Sequence, residues 1–222
     1  MTIAGDLTLI ATDPATGKFR LSAANPGAVY GGAHLIDLLE AGRLSTRGEG
    51  RRLRVVVDDR NPTGRPDLDH ALSRLTKDRP LTVSSVISRL GHQGRQRAYA
   101  ALEQEHRVRS RTEKVLLFDV TRYDVLDTDG RDELVRAVRA VLLEDATPDG
   151  RTGPVVSLLA AVSQLGLVVD RPDRRRAKAR AKTVSADDWA SEAVRRAVGG
   201  AEAAVMAAIM SAAVAGAAGG SS

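Results

Sequence analysis

Hydrophobic and polar positions alternate most clearly between residues 81 and 125. Four apolar side chains recur there at the spacing that places them on one face of a helix, and they are Val83, Val86, Ile87 and Leu90. Gly91 and Gly94 then interrupt the pattern. A second helix is predicted after them, over residues 95–105.

Two short β-rich runs follow the second predicted helix. They cover residues 107–109 and 115–120, with the polar stretch 110–114 between them, and they predict a β-hairpin. The resulting order is helix, turn, helix and hairpin. This outline is typical of a winged-helix DNA-binding protein, and equally of a membrane-surface module whose hairpin makes the contact.

The N-terminal third predicts short elements separated by turns. The apolar run 7–10 and a strand at 18–21 flank a turn, so they form either a hairpin or a helix–turn–strand unit. A short buried helix follows at 32–41 and ends before Gly42, since glycine is common after a helix C-terminus. The other predicted elements are a second hairpin from 43–45 and 52–57, a Pro- and Gly-rich loop that begins at 58, and a helix at 68–75.

The second half of the chain predicts three further helices. Residues 129–144 are amphipathic, and residues 154–165 are apolar on nearly every side, which favours a central position in the core. A basic run at 171–182 precedes a capping-box pattern at 185–188, where the last helix is expected to begin. Because we find no repeat and no linker, we predict one mainly α-helical domain over residues 1–222, with small hairpins.

Composition and charge narrow the classes of function. Hydrophobic residues make up 43% of the 222 residues, so a globular core is feasible, whereas aromatic residues make up only 3% and offer few platforms for stacking bases. The net charge of +5 favours a partner that carries phosphate, either nucleic acid or an anionic lipid surface. The chain has no cysteine, which excludes disulfides and cysteine-ligated metals. Arginine predominates among the basic residues, which hints at a GC-rich bacterial genome.

The sequence predicts a cytoplasmic protein. Its first residues lack the basic region and the long apolar region of a signal peptide. The alanine-rich stretch 203–218 is shorter than the ~20 strongly apolar residues that a membrane-spanning helix requires.

Residue patterns typical of catalysis are absent from the sequence. No two of its four histidines have the i, i+4 spacing of a helical metal site. Four carboxylates surround a Pro-Thr-Gly turn, and a turn followed by a helix start explains them better than a metal or acid–base site; they are Asp58, Asp59, Asp67 and Asp69. The glycine pairs at 48–50 and 91–94 match neither a P-loop nor a dinucleotide loop. We therefore predict no catalytic residue, no metal and no cofactor, and a protein that is not an enzyme.

Two basic clusters are better candidates for function. The first lies on the second predicted helix and the hairpin, and it consists of Arg95, Arg97, Arg107, Arg109, Arg111 and Lys114. The second is the run 174–182, which begins with Arg174, Arg175 and Arg176. Both could contact phosphate groups, and a solvated charged surface is the alternative for each.

The order of several motifs resembles the Golgi phosphoprotein 3 family, and in particular its bacterial, actinobacterial-type branch. These motifs are Leu-Ile-Asp-Leu at 35–38, Ala-Gly-Arg-Leu at 41–44, Pro-Thr-Gly at 62–64, Leu-Asp-His-Ala-Leu at 68–72, the helix 95–102 and Leu-Leu-Phe-Asp at 116–119. An apolar helix and a Trp near the C-terminus follow them. The resemblance covers about residues 5–198. It implies one helical bundle surrounded by amphipathic helices, with a protruding hairpin.

The resemblance also implies a peripheral membrane adaptor without enzymatic activity. Eukaryotic members bind phosphatidylinositol 4-phosphate and retain glycosyltransferases, their protein cargo, at the Golgi. Their headgroup pocket combines an early Trp and Arg with an Arg-x-x-Arg pair before the hairpin. These four positions fall at Ser22, Gly31, His92 and Arg95 in this chain. The residues expected to contact an anionic headgroup are Arg95, His92, Arg97, Arg109, Arg111, Arg174, Arg175 and Arg176.

Three functions are open on the sequence alone. The first is a peripheral protein on the inner face of the membrane that binds anionic phospholipid. The second is a winged-helix DNA-binding regulator that reads DNA with the helix 95–105, a less favoured interpretation because Glu103 and Glu105 crowd the end of that helix. The third is a scaffold that self-associates or binds a protein. The hairpin residues expected to contact a membrane or a second copy are Arg107, Val108, Val115, Leu116, Leu117 and Phe118.

Overall fold

A computed structural model describes residues 1–49, 52–76, 79–184, 189, 190, 194, 197 and 202–214. Helices dominate this part of the chain, which confirms the predicted mainly α-helical fold with small hairpins. The helices are α1 (Ile3–Ala11), α2 (Pro26–Glu40), α3 (Pro66–Ser73), α4 (Val83–Leu90), α5 (Gly94–Gln104), α6 (Thr128–Leu143), α7 (Thr152–Ala161), α8 (Arg174–Thr183) and α9 (Glu202–Val214). The strands are β1 (Leu44–Arg47), β2 (Arg54–Val57), β3 (Leu81–Thr82), β4 (Val108–Val115) and β5 (Phe118–Val125).

Helices with almost no polar face occupy the core. All nine residues of α1 are buried, and eleven of the fifteen residues of α2 are buried. The predicted central helix is α7, which buries eight of its ten residues and packs against α1, α2 and α6. Polar groups inside α1 have partners, as burial requires. Thr8 donates its hydroxyl to the carbonyl of Ala4 and lies 2.9 Å from the hydroxyl of Tyr30.

Glycine lets α2 and α4 cross at very short range. A Cβ atom at Gly31 would overlap the carbonyl of Ile87, and one at Gly91 would overlap the carbonyl of Gly27. The two backbones can approach this closely only because neither position carries a side chain. Gly31 is therefore required by the packing of the helices.

The N-terminal segment forms a helix, so the hairpin alternative for residues 7–11 is wrong. Thr2 caps α1 by accepting the N–H of Gly5, and the apolar run continues as helix to Ala11. The chain then turns and forms a single antiparallel bridge between Thr12 and Phe19. This matches the helix and the turn of the helix–turn–strand alternative, but the strand predicted at 18–21 is reduced to this one bridge. The helix predicted at 32–41 begins earlier, because the side chain of Asn25 accepts the N–H of Ala28 and caps α2.

The two hairpins form separate antiparallel sheets. The first pairs β1 with β2 as predicted, and β3 adds to its other edge. The second pairs β4 with β5 over eight residues each, from the Val108–Val125 pair at the base to the Val115–Phe118 pair at the tip. Residues 110–114, predicted as the separator between strands, pair within the ladder, so that prediction is wrong. The chain reverses at Leu116 and Leu117 because Leu116 adopts a left-handed conformation with φ +55°.

The basic run forms α8, with its two buried alanines facing the core. The helix predicted at 154–165 ends at Ala161, and a short 3₁₀ turn covers Leu165–Leu167. The capping box predicted at 185–188 lies outside the described residues. Trp189 is buried against Gly153 of α7.

Candidate functional site

The tip of the β4–β5 hairpin carries the most exposed apolar surface in the described part of the chain. Leu116, Leu117 and Phe118 are 90%, 89% and 72% exposed, and Val115 beside them is exposed too. Isolated exposed leucines are ordinary on protein surfaces, but a contiguous apolar group at the end of a protruding element indicates a contact site. The structure therefore gathers four predicted hairpin residues at one point.

The base of the hairpin is fixed to the helical core. Val108 is buried in a small cluster with Leu9, Tyr99 and Leu102. Arg107 pairs with Asp127 across the base. Because both ends are held, the ribbon presents its tip from a rigid support. Arg107 and Val108 thus anchor the hairpin, whereas the other predicted residues form its tip.

Charged side chains along the hairpin neutralise one another. Arg111 lies 2.9 Å from Asp124 and 3.3 Å from Glu113, and Arg109 lies 3.8 Å from Asp124. Residues 107–127 contain five basic and four acidic side chains. The hairpin is therefore nearly neutral, and Arg109 and Arg111 are already paired with carboxylates.

An open groove of about 420 Å³ lies between α5, β5 and the segment from Gly17 to Phe19 that follows α1. Its aromatic wall contains Tyr99 and Tyr123, stacked with 3.5 Å between ring centroids, and Phe19 packs edge-on against Tyr99. The guanidinium of Arg95 lies 5.1 Å from the centroid of the Phe19 ring, a cation–π distance. Arg95 is exposed and has no carboxylate partner among the described residues. We call this feature the Arg95 groove.

Sequence reasoning missed most of this groove. Phe19 and Tyr123 are 104 positions apart, and only the folded chain brings them together. Arg122 also lines the groove, where Glu113 holds its guanidinium at 3.2 Å. Three of the six aromatic residues of the chain meet here, and no local pattern in the sequence indicates such a meeting.

His92 and Arg95 line different cavities, although the resemblance implies one shared pocket. His92 borders a cavity of about 290 Å³ between α2 and α4, together with Asn25, Ser88 and Gly91. The carbonyl of Ala212 on α9 accepts a hydrogen bond from Asn25 at the same place. Ser22 is exposed near the start of α2, and no side chain fits at Gly31. The four positions of the family pocket therefore do not reproduce its arginine-lined chemistry.

The exposed face of α8 carries free positive charge. Five of its side chains are exposed and make no ion pair in the described part of the chain: Arg174, Arg175, Arg176, Lys178 and Lys182. Arg174 also borders a cavity of about 240 Å³ with Arg20, the residue after Phe19. Phe19 lines the Arg95 groove, and the next residue, Arg20, lines the cavity at the beginning of α8. Arg97, on another side of α5, is half-buried and donates to the side chain of Gln93 at 3.3 Å.

The carboxylates near the Pro-Thr-Gly turn have structural partners. Asp69 accepts the hydroxyl of Thr63 at 2.6 Å, and Asp59 accepts the N–H of Asn61 at 2.9 Å. Asp67 is buried and accepts the hydroxyl of Thr2 at 2.7 Å. No group of three candidate metal ligands occurs among the residues that the structure describes. The contacts of Asp59 and Asp69 match the interpretation as turn and helix-start carboxylates, whereas Asp67 bonds to Thr2 at the start of α1.

A second group of carboxylates lies where α1 meets α2. Asp6 is buried, and Arg151 holds it through two hydrogen bonds of 2.7 and 2.8 Å. Burial is the main cause that raises the pKa of Asp37 to about 8, and the negative charges of Asp67 and Asp6 act in the same direction. The hydrogen bond from the N–H of Ile3 and the charge of Arg65 oppose this rise. Asp37 therefore keeps a proton at neutral pH. We assign this carboxyl a structural role, since it accepts the N–H of Ile3 at the start of α1.

Comparison with known proteins assigns the family. Among the described residues, no helix is both long enough and apolar enough to cross a membrane. A search of curated proteins finds no match. The family model described as Golgi phosphoprotein 3 (GPP34) matches residues 3–201, and the chain therefore belongs to the Golgi phosphoprotein 3 family.

Proposed function

We propose that this protein is a peripheral membrane protein that binds anionic phospholipid headgroups on the inner, cytoplasmic face of the membrane. The observation that carries the proposal is the exposed apolar tip of Leu116, Leu117 and Phe118 on a rigidly held hairpin. The role is one of binding and adapting, without catalysis. Membership of the Golgi phosphoprotein 3 family supports it.

The tip supplies the hydrophobic part of membrane binding. Fully burying one leucine or phenylalanine side chain contributes about 1.5–3 kcal/mol. Insertion into the headgroup region buries these side chains only in part, so the tip alone gives weak, reversible attachment. Stable attachment generally needs a second signal, such as a basic surface.

Unpaired arginines supply that second signal. Each arginine or lysine close to an anionic surface contributes about 1 kcal/mol at physiological salt. Arg95 and five cations of α8 are available for this, because they are exposed and lack carboxylate partners in the described part of the chain; the five are Arg174, Arg175, Arg176, Lys178 and Lys182. Phosphatidylinositol 4-phosphate is the lipid that the family resemblance implies. Ser22, Gly31 and His92 replace three of the four residues of the family pocket, so we expect this chain to bind anionic headgroups as a class and not that lipid in particular.

Protein binding is the second candidate, and the same tip supports it. An exposed apolar group on a two-stranded ribbon suits contact with a cargo protein or a second copy of the chain. DNA binding is supported less well. The helix expected to enter a groove, α5, packs against α1, α2, α3 and β4, and it buries Ala98, Tyr99 and Leu102.

Vesicle co-sedimentation tests the proposal. We expect binding to vesicles with a generic anionic lipid that weakens as salt rises, and no binding to neutral vesicles. Adding phosphatidylinositol 4-phosphate at constant total charge should change the affinity little. A strong preference for that lipid would instead assign the family's specific ligand to this chain.

Two variants with the same loss of charge locate the contact. Arg95→Ala should weaken binding a few-fold, whereas Arg136→Ala, at an exposed position on α6, should leave it unchanged. Absence of binding to any anionic vesicle at low salt would reject the proposal. Concentration-dependent light scattering would then test self-association.

A further inference from the structure

A second positively charged surface lies where α3 packs against α5. His70 is on α3, Arg74 directly follows that helix, and Arg97 is on α5. We call these three residues the α3–α5 surface. Arg95 and Arg97 are two positions apart on one helix, so their side chains leave α5 in directions about 200° apart. The α3–α5 surface is therefore distinct from the Arg95 groove.

Two nitrogen atoms of this surface are buried without a hydrogen-bond partner. They are Nε2 of His70 and Nε of Arg97, judged against the residues that the structure describes. The guanidinium of Arg97 makes its one side-chain hydrogen bond through Nη2, to Gln93 at 3.3 Å. A buried polar group left unpaired costs about 1–3 kcal/mol. An acceptor would remove that cost once rotation of either side chain exposed its nitrogen.

No carboxylate neutralises the α3–α5 surface within the described ranges. Arg74 and Arg97 form no ion pair there. The acidic residues of α3 are engaged elsewhere, since Asp67 accepts from Thr2 at 2.7 Å and Asp69 accepts from Thr63 at 2.6 Å. The surface consequently keeps its positive charge.

The groups that face His70 are all basic. Burial lowers the pKa of His70, and Arg97, Arg74, His92 and His34 lower it further. His34 lies behind the surface on α2, where its Nδ1 donates to the carbonyl of Leu90 at 3.1 Å. A bound anion offsets this repulsion, because it attracts the guanidinium groups of Arg74 and Arg97 and favours the protonated form of His70.

We propose that the α3–α5 surface binds a phosphate-class dianion, held by the guanidinium groups of Arg74 and Arg97 beside the imidazole of His70. Planar guanidinium groups match the oxygen atoms of such an anion two at a time. Free phosphate, a soluble phosphomonoester and the phosphomonoester headgroup of a lipid present the same chemistry. The site is independent of the membrane contact proposed above.

Binding at this site becomes stronger as pH falls. Burial and the neighbouring basic groups hold the pKa of His70 below its ordinary value, and a bound anion favours the protonated ring, so lowering the pH adds positive charge at the site. Sulfate is the suitable probe, because its charge stays constant between about pH 6 and pH 8. Any change in its affinity over that range therefore reports on the protein.

Isothermal titration of the full chain with sulfate and with inorganic phosphate, at constant ionic strength in chloride, tests the proposal. We expect saturable binding that becomes at least about tenfold weaker in Arg97→Gln and is unchanged in Arg136→Gln, at an exposed position on α6. His70→Gln should bind sulfate with an affinity that no longer rises at low pH. Thermal unfolding without the anion checks that each variant folds, and His70→Gln carries the test should Arg97→Gln not fold.

Binding measurements with two further ligands identify the source of the phosphate group. Glycerol 3-phosphate represents a soluble phosphomonoester, and vesicles with phosphatidic acid present the same group on a lipid. Loss of either interaction in Arg97→Gln supports the site and names its ligand. The absence of saturable binding of sulfate and of phosphate, or equal affinities in wild type and both variants, would overturn the proposal. Because the titration uses no membrane, its outcome is separate from that of the vesicle experiments.

Discussion

The hairpin and α8 divide hydrophobicity and charge between them. The β4–β5 hairpin exposes Leu116, Leu117 and Phe118, but its arginines are paired with its own carboxylates. On α8 the exposed side chains are mainly arginine and lysine, and the apolar side chains that it buries are Ala177 and Ala181. Each region therefore has one property that membrane attachment requires and lacks the other.

This division teaches that charge counted along a sequence does not equal charge available to a ligand. Arg111 and Arg175 are both exposed arginines in basic clusters. Arg111 has two carboxylates within 3.3 Å, whereas Arg175 has none among the described residues. A binding assay should separate these two arginines although composition cannot.

The largest effect is expected at the tip. Leu116→Ser combined with Leu117→Ser should weaken binding to anionic vesicles by about 2 kcal/mol, or roughly 30-fold, because partial burial of two leucines is lost. Co-sedimentation at two salt concentrations measures this loss, which should be similar at both. Leu126→Ser, at an exposed apolar position near the base of the hairpin, is the matched control and should bind normally.

A smaller, salt-dependent effect is expected on α8. Arg175→Gln should weaken vesicle binding about fivefold, since one cation near an anionic surface contributes about 1 kcal/mol. The loss should fade in high salt. An effect that persists in high salt would mean that Arg175 acts through packing.

A still smaller effect is expected for the paired arginine. Arg111→Gln should change vesicle binding less than twofold, because Asp124 and Glu113 already balance its charge. The same vesicle series measures it. If Arg111→Gln and Arg175→Gln weakened binding equally, the distinction between paired and free arginines would be wrong.

The smallest effect on binding is expected at the junction of α1 and α2. Asp37→Asn should leave vesicle affinity unchanged but alter stability, because burial holds the pKa of Asp37 at about 8 in the folded chain. Between about pH 4 and pH 8 the unfolded chain releases this proton and the folded chain keeps it, so wild-type stability falls as pH rises. The variant should lack this decline and exceed wild type by at least about 1 kcal/mol at pH 8. Urea unfolding at pH 5 and pH 8 measures the difference, and equal pH slopes would contradict the assignment.

The spacing of apolar residues in the sequence was sufficient to predict the amphipathic helices. α5 and α6 lie within one residue of their predicted bounds, and α4 buries the four apolar residues predicted for its inner face, because one apolar face decides each helix. The strands of the hairpin were harder, since an exposed ribbon has no buried face to impose alternation. The polar residues 110–114 pair as strand, and the apolar pair at the tip forms the turn.

The candidate site depends on contacts that no local pattern shows. The basic residues were visible in the sequence, but their partners were not, as Arg111 and Asp124 illustrate. The Arg95 groove needs Phe19, which lies far from Arg95 in sequence. Gly31 is needed for the close approach of α2 and α4, and only the crossing of these two helices shows this role.

Fluorescence of a Phe118→Trp variant tests most directly whether the tip enters the membrane. The native Trp189 is buried and provides a constant background, which wild type measures. We expect a blue shift on anionic vesicles and quenching by lipids brominated near the headgroup, with neither change on neutral vesicles. A variant that co-sediments with anionic vesicles without shift or quenching would contradict insertion of the tip.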